Sequence, residues 1–259
     1  MRGTEHPRQV TDDQLLTELL RGGHMSTVSL NGLSHVYENT TSESVHPFNL
    51  FVDTGEFLVL YGPSGSGKST ILRMLHGLET PKTGTILIDG VDITHAAVND
   101  RDVTLALESY ALYPHMSVRD NLGFALRVDG LPAEEIRERV ETVMDKIGMA
   151  EVLDSVPGDL TRLQRQTVAL ARAVVRKPKV LIMDEPVVNL VPEQQAETLS
   201  LIKDLQQEFE LTTIYATSDL EDAKVLGDRI ALLDRGRLIG VEKPELAEAL
   251  VASVPDSDS

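Results

Sequence analysis

The chain has 259 residues, 41% of them hydrophobic, enough for one large α/β domain or two small ones around a sizeable core. It has no cysteine, which excludes disulfides, zinc-thiolate centres and cysteine nucleophiles and fits a reducing cytosol. A net charge of −17, from 24 basic and 41 acidic side chains, makes a surface that repels nucleic acid and anionic lipid, and no apolar run reaches membrane-span length.

Residues 1–24 read as an appendage. Thr11-Asp12-Asp13 caps a short helix carrying Leu15, Leu16, Leu19 and Leu20, stopped by Gly22-Gly23. The Gly23-His24-Met25 run is either natural or a cloning remnant. From 26 to 61 the pattern alternates as in strands, through Val28, Leu30 and Leu33 and later Leu50 and Val52. Phe57-Leu58-Val59-Leu60-Tyr61 is an apolar buried strand. A helix starts at Ser69 and runs through Leu75. Thr85–Gly90 is a strand and turn, and 103–107 is another short strand.

The texture then changes to a mainly helical insertion at about 109–178. Pro132 suits a helix first turn, Ile136, Val140, Val143, Met144 and Ile147 share one face, and Gly148 ends the pattern. A second helix spans 160–176, with Val168, Leu170, Ala171, Val174 and Val175 available for packing. The basic residues Arg162, Arg165, Arg172, Arg176, Lys177 and Lys179 lie mostly along this helix and read as a solvated face, so no nucleic-acid partner is expected. Strands return at 180–183, 213–216 and 230–233, and a turn at 234–236 leads into 237–241. Apolar strands alternating with helices imply a parallel sheet covered on both faces. Residues 244–259 read as a C-terminal helix and an acidic tail, Pro255–Ser259, that should be disordered.

Two motifs carry chemistry. Residues 62–69, Gly-Pro-Ser-Gly-Ser-Gly-Lys-Ser, are a full G-x-x-x-x-G-K-[ST] phosphate loop between a strand and a helix. Its glycines let backbone N–H groups close around a phosphate at a helix N-terminus, where free donors and the dipole favour an anion. Gly62, Ser64, Gly65, Ser66, Gly67, Lys68, Ser69 and Thr70 are therefore the expected nucleotide cradle. Lys68 reaches the β- and γ-phosphates and the Ser69 hydroxyl ligates Mg²⁺. Asp184-Glu185 ends the strand 180–183, where open α/β sheets bind ligands. Asp184 suits the Mg²⁺ shell, and Glu185 suits a general base toward an attacking water.

These residues, in this order, resemble the nucleotide-binding domains of ATP-binding-cassette (ABC) transporters over about 26–243. Within that family the chain looks most like the ATPases of bacterial carbohydrate importers of the maltose, multiple-sugar and glycerol-phosphate type, through Gly55–Leu60, Asp100–Val103 and Ser109–Val118. The resemblance implies a P-loop NTPase cassette over 25–243: a mainly parallel RecA-like core sheet, a small antiparallel β subdomain and an inserted helical subdomain. It implies ATP and Mg²⁺ as ligands, with Tyr37 stacking on adenine. It also implies permease partners engaged through the Tyr110–Val118 groove, an extracytoplasmic substrate-binding protein engaged indirectly, and a place on the cytoplasmic face of the plasma membrane.

The family works as a dimer, each ATP held between the phosphate loop of one domain and the LSGGQ helix start of the other. Four elements differ here. Glu108 stands where the family usually has Gln, and is retained as a candidate Mg²⁺ ligand. LSGGQ is replaced by Leu160-Thr161-Arg162-Leu163-Gln164, in which Thr161 keeps the hydroxyl and Arg162 offers a charge. Val188-Asn189-Leu190-Val191 replaces S-N-L-D, and Ser218 replaces the switch His, keeping only a short hydroxyl toward the γ-phosphate. Together they imply an importer ATPase subunit of slow or partner-dependent turnover, a heterodimer being favoured over a homodimer. A second reading is a non-catalytic nucleotide-sensing or structural subunit; a third, a soluble ABC protein acting on DNA or ribosomes, conflicts with the acidic charge. The β-rich regulatory domain often appended to such importers is not expected within these residues.

Overall fold

A computed structural model describes residues 26–38, 42–106 and 112–253. The expected N-terminal helix, the tail from 254, Glu108, and Tyr110 and Ala111 of the groove lie outside the described residues.

Two sheets organise the chain. The smaller is antiparallel, ordered β2-β1-β4-β5, built from β1 (Val28–His35), β2 (Val45–Val52), β4 (Thr83–Ile88) and β5 (Val91–Asp92). The larger is ordered β10-β9-β3-β8-β7-β6, from β3 (Phe57–Tyr61), β6 (Val103–Ala106), β7 (Val180–Asp184), β8 (Thr212–Thr217), β9 (Arg229–Asp234) and β10 (Arg237–Glu242). Strands β9, β3, β8, β7 and β6 run parallel, and β10 closes the edge antiparallel to β9. This is the P-loop cassette architecture: a parallel core sheet, a small antiparallel sheet and helices.

Strand β3 is buried on both faces because alternate residues serve different cores. Phe57 and Val59 face a core shared with the helices of the insertion, whereas Leu58 and Leu60 face one shared with the small sheet and with α1 (Lys68–His76). The first core takes Val118, Leu122 and Leu126 from α2 (Val118–Val128) and Ile136, Val140 and Met144 from α3 (Ala133–Lys146). It also takes Val168, Leu170 and Val174 from α4 (Arg162–Val174), and Leu199, Ile202 and Leu205 from α5 (Pro192–Glu208). Two shorter helices, α6 (Leu220–Leu226) and α7 (Ala247–Ala252), complete that side.

Helix starts follow local chemistry. Ser117 caps α2 by accepting from the Asp120 N–H. Pro132 sits at the N-cap of α3, one position before the first turn expected for it. Thr161 caps α4, which is two residues shorter at each end than the 160–176 span read from the sequence. Frayed and capped ends are where periodicity carries least information. Helices α5 and α6 gave no separate signal; in α5 the buried stripe of Thr198, Leu199, Ile202, Leu205 and Gln206 holds only three apolar side chains.

Candidate functional site

The phosphate loop is shaped by what its glycines touch. A Cβ on Gly62 would lie 2.1 Å from the Leu233 carbonyl oxygen, so only glycine lets the loop leave β3 against β9. Gly67 has φ +102°, a left-handed conformation that ends the loop and begins α1, and a Cβ there would sit 3.0 Å from the Ser44 carbonyl. The start of the loop is pinned to β8 by Gly62 N–H donating to the Thr217 carbonyl at 3.3 Å. Its far side is pinned to the β9–β10 turn by Gly236 N–H donating to the Ser66 carbonyl at 3.0 Å.

Above the loop is a cavity of about 220 Å³ lined by Tyr37, Ser44, Ser64, Gly65, Gly67, Lys68, Ser69, Thr70 and Glu185. Most of the expected cradle residues thus share one concave surface with the acid proposed as base. Gly62 and Ser66 lie beneath it, Ser66 being buried with a hydroxyl that has no hydrogen-bond partner. Lys68 is buried, and its ammonium donates to the Gly62 and Pro63 carbonyls at 2.7 and 3.1 Å. The same ammonium lies 3.3 Å from Glu185 Oε1. An anionic phosphate competes with Glu185 for that cation.

Glu185 has φ +44°, an uncommon conformation for a residue with a Cβ, held by its N–H donating to the Ala216 carbonyl at 2.9 Å. The turn swings its carboxylate over the loop instead of continuing β7. Asp184 is more enclosed. Burial pushes its carboxyl above the usual carboxylate range; a hydrogen bond with Ser69 opposes this, the neighbouring Glu185 charge adds to it, and Lys68 and Arg73 oppose it. Asp184 Oδ1 is buried with no hydrogen-bond partner. A desolvated carboxylate with an orphan oxygen beside a serine hydroxyl is a hard-oxygen set that suits Mg²⁺, which takes one or two protein oxygens and completes its shell with water and phosphate.

Tyr37 is partly exposed at the cavity rim, with its hydroxyl 2.9 Å from Thr70 Oγ1. Ser218 follows β8 directly after Thr217; it is exposed and does not line the cavity. Thr161 and Arg162 do not line it either. Thr161 and Gln164 form a closed capping box: Gln164 N–H donates to the Thr161 hydroxyl at 3.2 Å, and Thr161 N–H donates to the Gln164 side-chain oxygen at 2.9 Å. The Arg162 guanidinium turns onto its own chain, donating to Gln166 at 2.8 Å and Glu197 at 3.1 Å. Leu163, Val188 and Val191 are exposed apolar side chains near these helix starts.

Sequence reasoning gave no role at the site to Ser44 or to Gly236 of the expected 234–236 turn, both of which meet the loop, or to His35, which joins it through Ser44 and Tyr37. Ser44 is a plain serine in a polar stretch, and nothing in its spacing marks it.

A sequence model of the family described as ABC transporter matches residues 45–188. The diacetylchitobiose uptake system ATP-binding protein MsiK of Streptomyces coelicolor is 45% identical over 220 residues, covering 85% of this chain and 58% of that protein. The xylose/arabinose import ATP-binding protein XacK of Haloferax volcanii is 44% identical over 224 residues, with the same two coverages. The trehalose/maltose import ATP-binding protein MalK of Thermococcus litoralis is 42% identical over 227 residues, covering 85% of this chain and 60% of that one. The chain thus spans somewhat under two thirds of the length of these curated relatives. Among solved structures, cbiO1 from Clostridium perfringens, part of the ABC transporter complex cbiONQ, superposes with a TM-score of 0.77. It is 28% identical, with 86% of this chain and 90% of that chain covered.

Proposed function

We propose, from the premise that this chain belongs to the ABC transporter family, that it is the ATP-binding subunit of an importer, hydrolysing Mg-ATP in concert with a membrane permease. One observation carries this reading: Lys68, Ser69, Thr70, Glu185 and Tyr37 line a single cavity over a phosphate loop. The names of these three relatives point to a sugar cargo.

In this reading Lys68 and the loop amides bind the β- and γ-phosphates, and Tyr37 stacks on the base. Ser69 and Asp184 would hold Mg²⁺, with Glu108 a further candidate, and the ion supplies charge neutralisation when bound. Glu185, its carboxylate displaced from Lys68 by phosphate, takes a proton from the attacking water. Ser218 offers the γ-phosphate a hydroxyl in place of an imidazole. Among the described residues no helix is long and apolar enough to cross a membrane. In this reading the chain sits at the cytoplasmic face of the plasma membrane, held by permease subunits at the 110–118 segment. An extracytoplasmic binding protein acts only through them.

The finer reading is that this chain is one half of an ATPase heterodimer. The Thr161–Gln164 capping box occupies donors at the start of α4, Arg162 is held by Gln166 and Glu197, and Leu163 protrudes where a phosphate-binding glycine would be needed. These features favour a partner supplying the complete opposing surface. They equally motivate the second reading, a subunit that uses ATP only to hold the dimer closed.

The complex purified with its partner chains tests both. Lys68→Ala in this chain is expected to weaken Mg-ATP binding at least about tenfold, and Glu185→Gln to lower turnover at this site about 10²-fold. Turnover unaffected by Glu185→Gln, with binding intact, favours the non-hydrolytic subunit. A chain that fails to bind Mg-ATP at saturating concentration overturns both.

A further inference from the structure

We infer that His35 is a positioning residue for nucleotide binding: it fixes the ring of Tyr37 so that the base is gripped, without itself touching the nucleotide. The inference rests on the reading of Tyr37 as the base-stacking residue.

His35 is the last residue of β1, paired in register with Val45 of β2, and its imidazole is buried. Its two nitrogens are both engaged. Nδ1 lies 2.9 Å from the Ser44 hydroxyl. That hydroxyl donates to the His35 carbonyl at 3.1 Å, so it accepts from the Nδ1–H. Nε2 lies 3.4 Å from Glu79 Oε2, an ion pair when the imidazole carries both protons. Glu79 is in turn held by the Arg73 guanidinium of α1 at 3.1 Å. The imidazole is therefore locked between the segment before β2 and the end of the phosphate-loop helix.

The locked ring meets Tyr37 edge-to-face, with centroids 4.5 Å apart and planes at 72°. At its far end the Tyr37 hydroxyl is 2.9 Å from Thr70 Oγ1, in the first turn of α1. Tyr37 is thus held at two points, by His35 and by Thr70, while the ring remains partly exposed at the rim of the cavity. Ser44 both lines that cavity and anchors His35. An aromatic ring held in advance loses less rotational freedom when a base stacks on it, and that saving appears as affinity. Arg73, Glu79, His35 and Tyr37 form one chain from α1 to the rim, so the base-binding ring and the phosphate helix are set by the same framework.

The test compares two ligands on the full chain by isothermal titration: Mg-ATP, and Mg-tripolyphosphate, which has the phosphates and no base. Tyr37→Ala is expected to weaken ATP and leave tripolyphosphate unchanged. His35→Leu, which keeps bulk but loses the ring and both polar contacts, is expected to weaken ATP about three- to tenfold and tripolyphosphate not at all. The double variant His35→Leu/Tyr37→Ala is expected to bind ATP no more weakly than Tyr37→Ala alone, because His35 acts only through Tyr37. Glu79→Gln, at a more accessible position, should give a smaller loss of the same ATP-selective kind, and it decides the matter if His35→Leu does not fold. Equal losses for both ligands, no loss, or additive losses in the double variant overturn the positioning role and leave the base-stacking reading standing. A Tyr37→Ala variant that binds both ligands normally, or both more weakly, removes the base-stacking reading and the inference with it.

Discussion

Burial does different things to titratable groups according to what surrounds them. His76 ends α1, with its Nδ1 buried and without a hydrogen-bond partner. Burial pushes the imidazole below its ordinary value of 6.5; a hydrogen bond with the Val103 backbone opposes this, and the Arg101 and Arg176 charges reinforce it. The folded chain therefore takes up a proton at lower pH than the unfolded chain does. The stabilisation is complete above the unfolded value and is lost as pH falls through the folded one. Melting temperature should drop on acidification from about pH 7 to about pH 5, and drop less in His76→Gln. Equal acid sensitivity in the two proteins would exonerate His76. The phosphate loop and the acid pair were legible in the sequence because each is a contiguous word whose geometry is local. The site roles of Ser44, His35 and Gly236 were not legible, since each depends on contact with a residue of another segment.

A single arginine fastens the phosphate-loop helix at its other end. Arg101, buried, donates to the Met74 and Leu75 carbonyls at 2.7 and 3.1 Å and to those of Thr94 and Ala96 at 3.0 and 2.9 Å. It adds side-chain donors to carbonyls at the end of α1, where helical partners run out, and ties that turn to the segment between β5 and β6. Gly77 sits against it, where a Cβ would fall 2.6 Å from the guanidinium Nε. Arg101→Met should cost about 3–5 kcal/mol in chemical denaturation, since it strands several buried carbonyls at once. A loss under about 1 kcal/mol would mean water replaces the guanidinium without difficulty. The sequence displayed Arg101 within Asp100–Val103 as a mark of resemblance, but its structural duty depends on α1 arriving alongside. Strand identity was easier to read: β3, β7, β8 and β9 are short apolar runs, and only fully covered strands carry that pattern.

The described residues form two hydrophobic clusters on opposite faces of the large sheet, one reaching into the helices of the insertion and the other into the small sheet. The α/β class and the helical character of 109–178 could be anticipated from the change of period along the chain. The strand order β10-β9-β3-β8-β7-β6 could not, because register and neighbours are set by long-range pairing. At this scale the proposed asymmetry makes its own prediction. Isolated chain carrying Glu185→Gln, given saturating Mg-ATP, should remain monomeric by light scattering, whereas addition of the partner ATPase should double the mass. A stable symmetric pair under those conditions would remove the case for a mismatched partner.

Leu163, Val188, Val191 and Ser218 all sit at exposed positions, whereas Lys68 opens α1, which is rooted in one interior cluster, and its loop leaves β3, which is rooted in both. Substitution at those exposed positions removes no side chain from either interior cluster. Changes at the surface and integrity of the loop are therefore separable: variants at those four positions should keep the melting temperature of the parent chain, whereas variants that disturb β3 or α1 should lower it.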